Sequence, residues 1–170
     1  MKKIILSATL IVALFSCKKD INKPSPYHIG DTLNGGLITY IDQSGYHGMI
    51  STGEDISGGI PFSDNSLGIT ITSTAYGTGS SNTLSIVDKQ GINQFYAADW
   101  GVGLGWSLPS KDELGLIYRT KFNIHNPWTS IYWSSSIDSD NKVWVEDFST
   151  GKQYTLPQDS IAAVRGIKYF

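Results

Sequence analysis

Asp138, Asp140 and Asn141 carry oxygen atoms of the kind that bind Ca²⁺, and they stand together between two apolar runs. An EF-hand loop that began at Asp138 would need Gly at its sixth position and Glu at its twelfth. The chain has Val143 and Ser149 there. We therefore predict no metal site and no cofactor. These three residues are interpreted as a polar turn that can contribute to ligand binding.

Acid–base hydrolysis of a polysaccharide would need two carboxylates that face each other across the scissile bond. The three glutamates are Glu54, Glu113 and Glu146. Glu113 has the spacing of a helix capping residue, and Glu146 falls in a strand-like run beside Trp144, so both are interpreted as structural. No carboxylate pair can be assigned from the spacing.

Nucleophilic catalysis has no recognisable motif in this sequence. His28, His47 and His125 are the only imidazoles, and Ser134–Ser136 lacks the flanking glycines of a nucleophile elbow. The Gly-x-Gly-x-Gly run 101–105 is followed by Trp106 and matches neither phosphate-binding fingerprint. We predict no catalytic residues and a protein that is not an enzyme.

Aromatic side chains could instead stack on the apolar C–H face of a sugar ring. Among the five tryptophans, Trp106 and Trp133 are expected in the core, whereas Trp128 follows Asn126–Pro127 in a predicted loop. The candidate ligand-binding residues are therefore Trp128, Asp138, Asp140 and Asn141.

The N-terminal residues have the form of a bacterial lipoprotein signal. A cationic head, Met1–Lys3, precedes an apolar run that is too short to span a bilayer and ends just before Cys17, the only cysteine. We predict a signal peptide over 1–16, lipidation of Cys17 and a flexible tether over 17–26. Secretory cleavage that leaves a free thiol is the alternative. Lys18 in place of Asp favours the outer membrane, facing either the periplasm or the cell surface.

Composition narrows the class of protein further. Hydrophobic residues make up 40% of the 170 residues and charged residues 16%, which favours a folded domain, here 27–170, over disorder. Removal of Lys2 and Lys3 from the 13 basic residues leaves 11 against 15 acidic ones. A nucleic-acid partner is therefore not expected. A single cysteine forms no disulfide within the chain.

The pattern of elements predicts strands, then helices, then strands. The pattern predicts a hairpin formed by Leu37–Ile41 and Tyr46–Ser51. It predicts an irregular loop over 52–68 and a strand over Ile69–Thr74. One helical stretch, with Gly91 as a break or a weak point, follows Ser80, and a second begins at the capping box formed by Ser110 and Glu113.

The last third is predicted as four strands joined by turns: Tyr132–Ser136, Lys142–Phe148, Tyr154–Leu156 and Ala163–Tyr169. The order of the elements along the whole chain indicates an α+β fold with antiparallel sheets.

Several segments in series resemble the domain at the C-terminus of the Legionella collagen-like protein, which is related to the Fibrobacter major paralogous domain. They are Gly105–Leu114, Tyr132–Ser136, Val143–Trp144 with Asp147–Phe148 and Gly151, and Val164–Phe170. The resemblance implies a C-type-lectin-like fold in which two helices pack on antiparallel sheets. It also implies extracellular attachment or glycan recognition without an assigned catalytic mechanism. Lys168 stands where that family usually has Arg.

These observations lead to one expected function and two alternatives. We expect a lipid-anchored, non-enzymatic envelope protein that binds a glycan or a protein through the loops around 52–68, 76–80 and 124–141. The alternatives are a polysaccharide-directed enzyme with an unassigned carboxylate pair, and a structural envelope component without a small ligand.

Overall fold

The computed structural model of the protein describes residues 25–63, 72–92, 94–121 and 130–170. In these ranges the chain forms three helices and nine strands, which confirms the α+β prediction. The strands are β1 (Thr32–Leu33), β2 (Gly36–Ile41), β3 (Gly48–Ser51), β4 (Ser57–Pro61), β5 (Ile131–Ile137), β6 (Val143–Asp147), β7 (Lys152–Leu156), β8 (Ile161–Val164) and β9 (Ile167–Tyr169). The helices are α1 (Gly79–Gln90), α2 (Ala97–Gly103) and α3 (Lys111–Thr120).

The strands form a four-stranded sheet in the order β1-β2-β3-β9 and a five-stranded sheet in the order β4-β8-β5-β6-β7. All neighbouring strands are antiparallel except β5 and β8, which pair in parallel at Tyr132 and Ala163. The predicted hairpin of β2 and β3 and the pairing of β5 with β6 are confirmed. Strand β7 lies at the open edge of the larger sheet.

Helix α3 begins at the predicted capping box. The Ser110 side chain accepts a hydrogen bond from the Glu113 amide at 3.3 Å, and Glu113 Oε2 accepts one from the Ser110 amide at 2.7 Å. The fully buried Glu113 also accepts hydrogen bonds at Oε1 from the Gly77 amide and the Tyr169 hydroxyl. One carboxylate therefore ties the start of α3 to the loop before α1 and to β9.

The first predicted helical stretch is broken at Gly91, one of the two possibilities predicted there, so it forms two helices, α1 and α2. Gly91 ends α1 with a φ of 84°, a conformation that residues with a Cβ rarely adopt. The chain resumes helical geometry only at Ala97, after Tyr96 has donated a hydrogen bond to the carbonyl of Gly91.

The larger sheet is covered on both faces. Ile86 of α1 and Ala97 of α2 pack with Trp133 and Val145 on one face. Leu114 and Ile117 of α3 pack on the other face with a second group: Tyr132, Phe148 and Met49 of the smaller sheet. Trp133 is fully buried, as predicted, and donates from Nε1 to the Ile60 carbonyl at 2.8 Å. Trp106 is only half-buried. Helix α3 thus lies between the two sheets.

Two strand predictions are wrong in detail. Part of the predicted loop 52–68 forms strand β4. Its exposed Gly58 and Gly59 have low strand propensity, so the sequence does not predict a strand there. The segment is a strand because it pairs with β8. The predicted strand Ala163–Tyr169 is two strands in different sheets, β8 and β9.

The break between β8 and β9 falls at Arg165–Gly166. A Cβ on Gly166 would lie 2.6 Å from Cβ of Trp106, so a larger residue does not fit here unless Trp106 shifts. Arg165 is buried, donates to the Thr52 carbonyl and forms an ion pair with Asp55, so it supports this break from the inside. The predicted strand Ile69–Thr74 is irregular at 72–74, and its remaining residues lie outside the described ranges.

Candidate functional site

A groove runs along the outer side of α3. Asp112, Gly115, Leu116 and Arg119 share that side because helical residues spaced by three or four positions lie above one another. Two adjoining cavities of about 400 and 340 Å³ share Gly115, Arg119 and Gln153. We call them together the α3 groove. Its remaining lining residues are Tyr40, Tyr76, Tyr118, Glu146 and Gly151.

Glu146 and Gln153 form the deepest polar part of the α3 groove. They are cross-strand partners on β6 and β7, and Gln153 Nε2 donates to Glu146 Oε2 and to the Lys111 carbonyl, each at 3.0 Å. The Glu146 side chain is only 2% exposed. Its second oxygen, Oε1, makes no hydrogen bond to any residue that the structure describes. A buried carboxyl thus lines a cavity with one oxygen available to a ligand.

Burial raises the pKa of Glu146 above its ordinary value of 4.5. The hydrogen bond from Gln153 and the positive charges of Arg119, Lys111 and Lys121 lower the pKa and offset part of this effect. The described residues include no cation within 4.0 Å of the Glu146 carboxylate. A buried acid without a close counter-ion is costly, and such groups concentrate at functional sites.

Gly115 makes room for this pair. Glycine in the middle of a helix costs about 1 kcal/mol relative to alanine. A Cβ at position 115, however, would lie 3.2 Å from Gln153 Nε2 and 3.7 Å from Glu146 Oε2. The missing side chain therefore lets the two polar groups approach the backbone of α3 and keeps the groove open.

Tyrosines form one wall of the α3 groove. The rings of Tyr40 and Tyr76 are 4.8 Å apart, and that of Tyr169 lies 6.1 Å beyond Tyr76. Tyr76 is 42% exposed and Tyr169 38%, so both present ring surface to solvent. Burial, assisted by nearby Tyr40 and Glu113, raises the pKa of Tyr76 to about 12, so its hydroxyl stays protonated at neutral pH. The bond from the Gly77 amide to Glu113 holds the backbone next to Tyr76 in place.

Cations surround the groove without neutralising its acids. The Lys111 ammonium lies 4.2 Å from the centre of the Trp144 ring, and that of Lys121 lies 4.6 Å from the centre of the Tyr118 ring. Arg119 is exposed and makes no hydrogen bond, ion pair or ring contact with the described part of the chain. Its five N–H donors therefore face solvent at the groove.

The predicted ligand residues of the 138–141 turn lie elsewhere. Asp138 Oδ1 accepts hydrogen bonds from the amides of Asp140 and Lys142 at 2.9 and 2.8 Å, so this carboxylate organises the turn itself. Asn141 has a φ of 60°, and its carbonyl accepts from Gln158 Nε2 at 3.0 Å. The turn precedes β6, whereas Glu146 lies near the end of that strand, and none of these residues lines the α3 groove.

Trp128 and Cys17 lie outside the described residues, so their assignments stay predictions. Within the described ranges, no three His, Cys, Asp or Glu side chains come close enough together to hold a metal ion. No helix in those ranges has both the length and the apolar character needed to cross a membrane.

Sequence patterns alone do not reveal the groove. They favour a structural role for Glu146 and indicate no ligand-binding role for Gly115, Gln153 or Arg119. Two signals were available: a glycine inside an otherwise amphipathic helix, and a glutamate in a strand that carries apolar residues on both of its faces.

The chain matches no model of a known protein family, and no curated protein matches it significantly. The resemblance to the Legionella and Fibrobacter domains therefore stays a prediction from the sequence motifs.

Proposed function

We propose that this protein is a lipid-anchored, non-enzymatic component of the cell envelope whose C-type-lectin-like domain binds a glycan in the α3 groove. The observation that carries the proposal is the open groove in which tyrosine rings face solvent on one side and a buried carboxyl, Glu146, offers an unbonded oxygen on the other.

This combination of groups suits a saccharide. Tyr40 and Tyr76 offer ring faces on which the apolar C–H groups of a pyranose can stack. Glu146, Asp112 and Arg119 supply acceptors and donors for its hydroxyl groups. Since the two cavities are continuous along α3 and open to solvent, the groove suits a chain better than a single small molecule.

The fold and the N-terminus support the wider proposal. Strand β9, at the C-terminus, joins the sheet that contains the first strands, an arrangement compatible with a C-type-lectin-like domain. Anchoring rests on Cys17 and its apolar leader. Cells grown with labelled palmitate should label the protein, and the Cys17→Ser variant should take up none. Label retained by that variant would contradict the anchor.

Glycan binding can be tested by applying the full chain in detergent to an array of polysaccharide fragments. We expect selective signals that the Tyr76→Ala variant loses, because stacking on the groove wall is removed. Phe95→Ala is the control, since Phe95 is an exposed aromatic residue just before α2 and does not line the groove. A blank array, or equal signals from both variants, would contradict the proposal.

Polysaccharide hydrolysis is the second candidate, because a cleft carboxyl with a raised pKa is a feature of general acids. Asp112 lines the adjoining cavity and is the only other carboxylate among the described lining residues. Release of reducing sugar by the wild type that stops in both Glu146→Gln and Asp112→Asn would favour this candidate. Binding without product favours the lectin-like function.

A further inference from the structure

We infer that the α3 groove selects acidic glycans, and that Arg119 binds the carboxylate of a uronic acid residue in the chain. This inference rests on the proposed glycan binding and adds the class of sugar. It is carried by Arg119, which lines both cavities and makes no hydrogen bond or ion pair with the described residues.

Charges of both signs lie along the groove, and the full sequence has a formal net charge of −2 at pH 7. Among the lining residues, Arg119 is the cation and Asp112 and Glu146 are the acids. Lys111 and Lys121 lie outside the lining but near enough to lower the pKa of Glu146. An anionic group is therefore attracted locally, at the guanidinium of Arg119.

Arg119 is the cation placed to recognise a carboxylate. Lys111 and Lys121 are already engaged with the rings of Trp144 and Tyr118, and Lys121 also donates to the Phe148 carbonyl. Arg119 lines both cavities and makes no hydrogen bond, ion pair or ring contact with the described residues. A guanidinium binds a carboxylate through two parallel hydrogen bonds, which gives direction as well as charge.

The neighbouring groups fit the rest of a uronic acid ring. Arg119 follows Gly115 by four residues, about 6 Å along the axis, and Gly115 is the residue against which Glu146 and Gln153 lie. A ligand whose carboxylate binds Arg119 can therefore place ring hydroxyls near Glu146 Oε1, which has no donor among the described residues. Tyr40 and Tyr76 line the adjoining cavity, where they can receive the ring face.

The test uses trisaccharides of galacturonate, guluronate and glucuronate, each beside its methyl ester. Esterification removes the negative charge and leaves the ring and hydroxyl groups unchanged. With the full chain, we expect at least one acidic trisaccharide to bind about tenfold more tightly than its ester, because a charged hydrogen-bonded pair is lost. Added salt should weaken binding of the acid and leave that of the ester nearly unchanged.

Arg119→Gln should abolish this preference by weakening the acidic ligand alone. Lys89→Gln is the control for net charge, since Lys89 is an exposed cation at the end of α1, on the opposite face of the larger sheet. Esters that bind as tightly as the acids, or an Arg119→Gln variant that keeps the preference, would overturn the inference while glycan binding stands. A blank glycan array would instead remove the proposed function itself.

Discussion

Replacement of Glu146 by Gln should stabilise the protein at neutral pH. The carboxyl is 2% exposed, and one hydrogen bond, from Gln153, stabilises its charge directly. Burying an ion costs several kcal/mol, and a hydrogen bond to a charged group offsets about 1.5–3 kcal/mol of that cost. The positive charges of Lys111, Arg119 and Lys121 offset a further part of the desolvation cost. We expect a net gain of about 1 kcal/mol for the amide, or roughly 4 °C in Tm.

The pH dependence provides the sharper test. Because burial raises the pKa of Glu146, the folded state binds this proton more tightly than the unfolded state does. The resulting stabilisation is fully present below the ordinary pKa of 4.5 and is lost as the pH rises through the raised pKa. Glu146→Gln and the wild type should therefore be similarly stable in acid, and the variant should gain its advantage as the pH increases.

Urea unfolding followed by tryptophan fluorescence at several pH values between 4 and 8 measures this difference. Other titrating groups are common to both proteins and cancel in the comparison. Glu113→Gln is the opposite control, since both Glu113 oxygens accept hydrogen bonds and an amide would direct N–H groups at donors. That variant should lose about 2 kcal/mol at neutral pH. A Glu146→Gln variant that is less stable than the wild type at pH 8 would refute the reasoning.

Three further changes test the groove and its support. Gly115→Ala should change the free energy of unfolding by less than about 0.5 kcal/mol, because the close contact of the new methyl group with Gln153 offsets the gain in helix propensity. The same variant should bind the glycan more weakly, as measured by isothermal titration calorimetry. Arg165→Met should lower the free energy of unfolding in urea by about 3 kcal/mol, because it leaves Asp55 without its cation. Trp128→Ala should leave array signals intact if the groove is the site, whereas their loss would place recognition at Trp128 instead.

Local rules predicted the elements whose signals are contained within a few residues. The capping box placed the start of α3 because Ser110 and Glu113 satisfy each other's neighbouring amides without help from elsewhere. The hairpin of β2 and β3 followed from two β-branched runs around a turn ending in Gly45, whose φ is 75°. Strand β4 and the division of β8 from β9 could not be predicted in this way. Both depend on pairing partners or packing contacts far away in sequence.

The site escaped prediction for the same physical reason. Whether a glutamate in a strand is exposed, paired or buried depends on what covers that face of the sheet. The cover over Glu146 is α3, about 30 residues earlier in the chain. The sequence therefore indicated an acid in a strand but not its burial, and burial is what raises its pKa.

Gly115 and Glu146 are each unfavourable when considered alone. Alanine would make the better helix at position 115, and an apolar residue or an amide would be less costly than a carboxyl at position 146. Placed together, the glycine leaves the space in which the carboxyl and Gln153 lie, and an oxygen of that carboxyl is left for a ligand. Both residues lower the stability of the fold, and both line the same cavity. Residues that are unfavourable for stability occur mainly at functional sites, so ligand binding explains this pair better than stability does. A stability gain in Glu146→Gln accompanied by lost glycan binding would demonstrate that exchange directly.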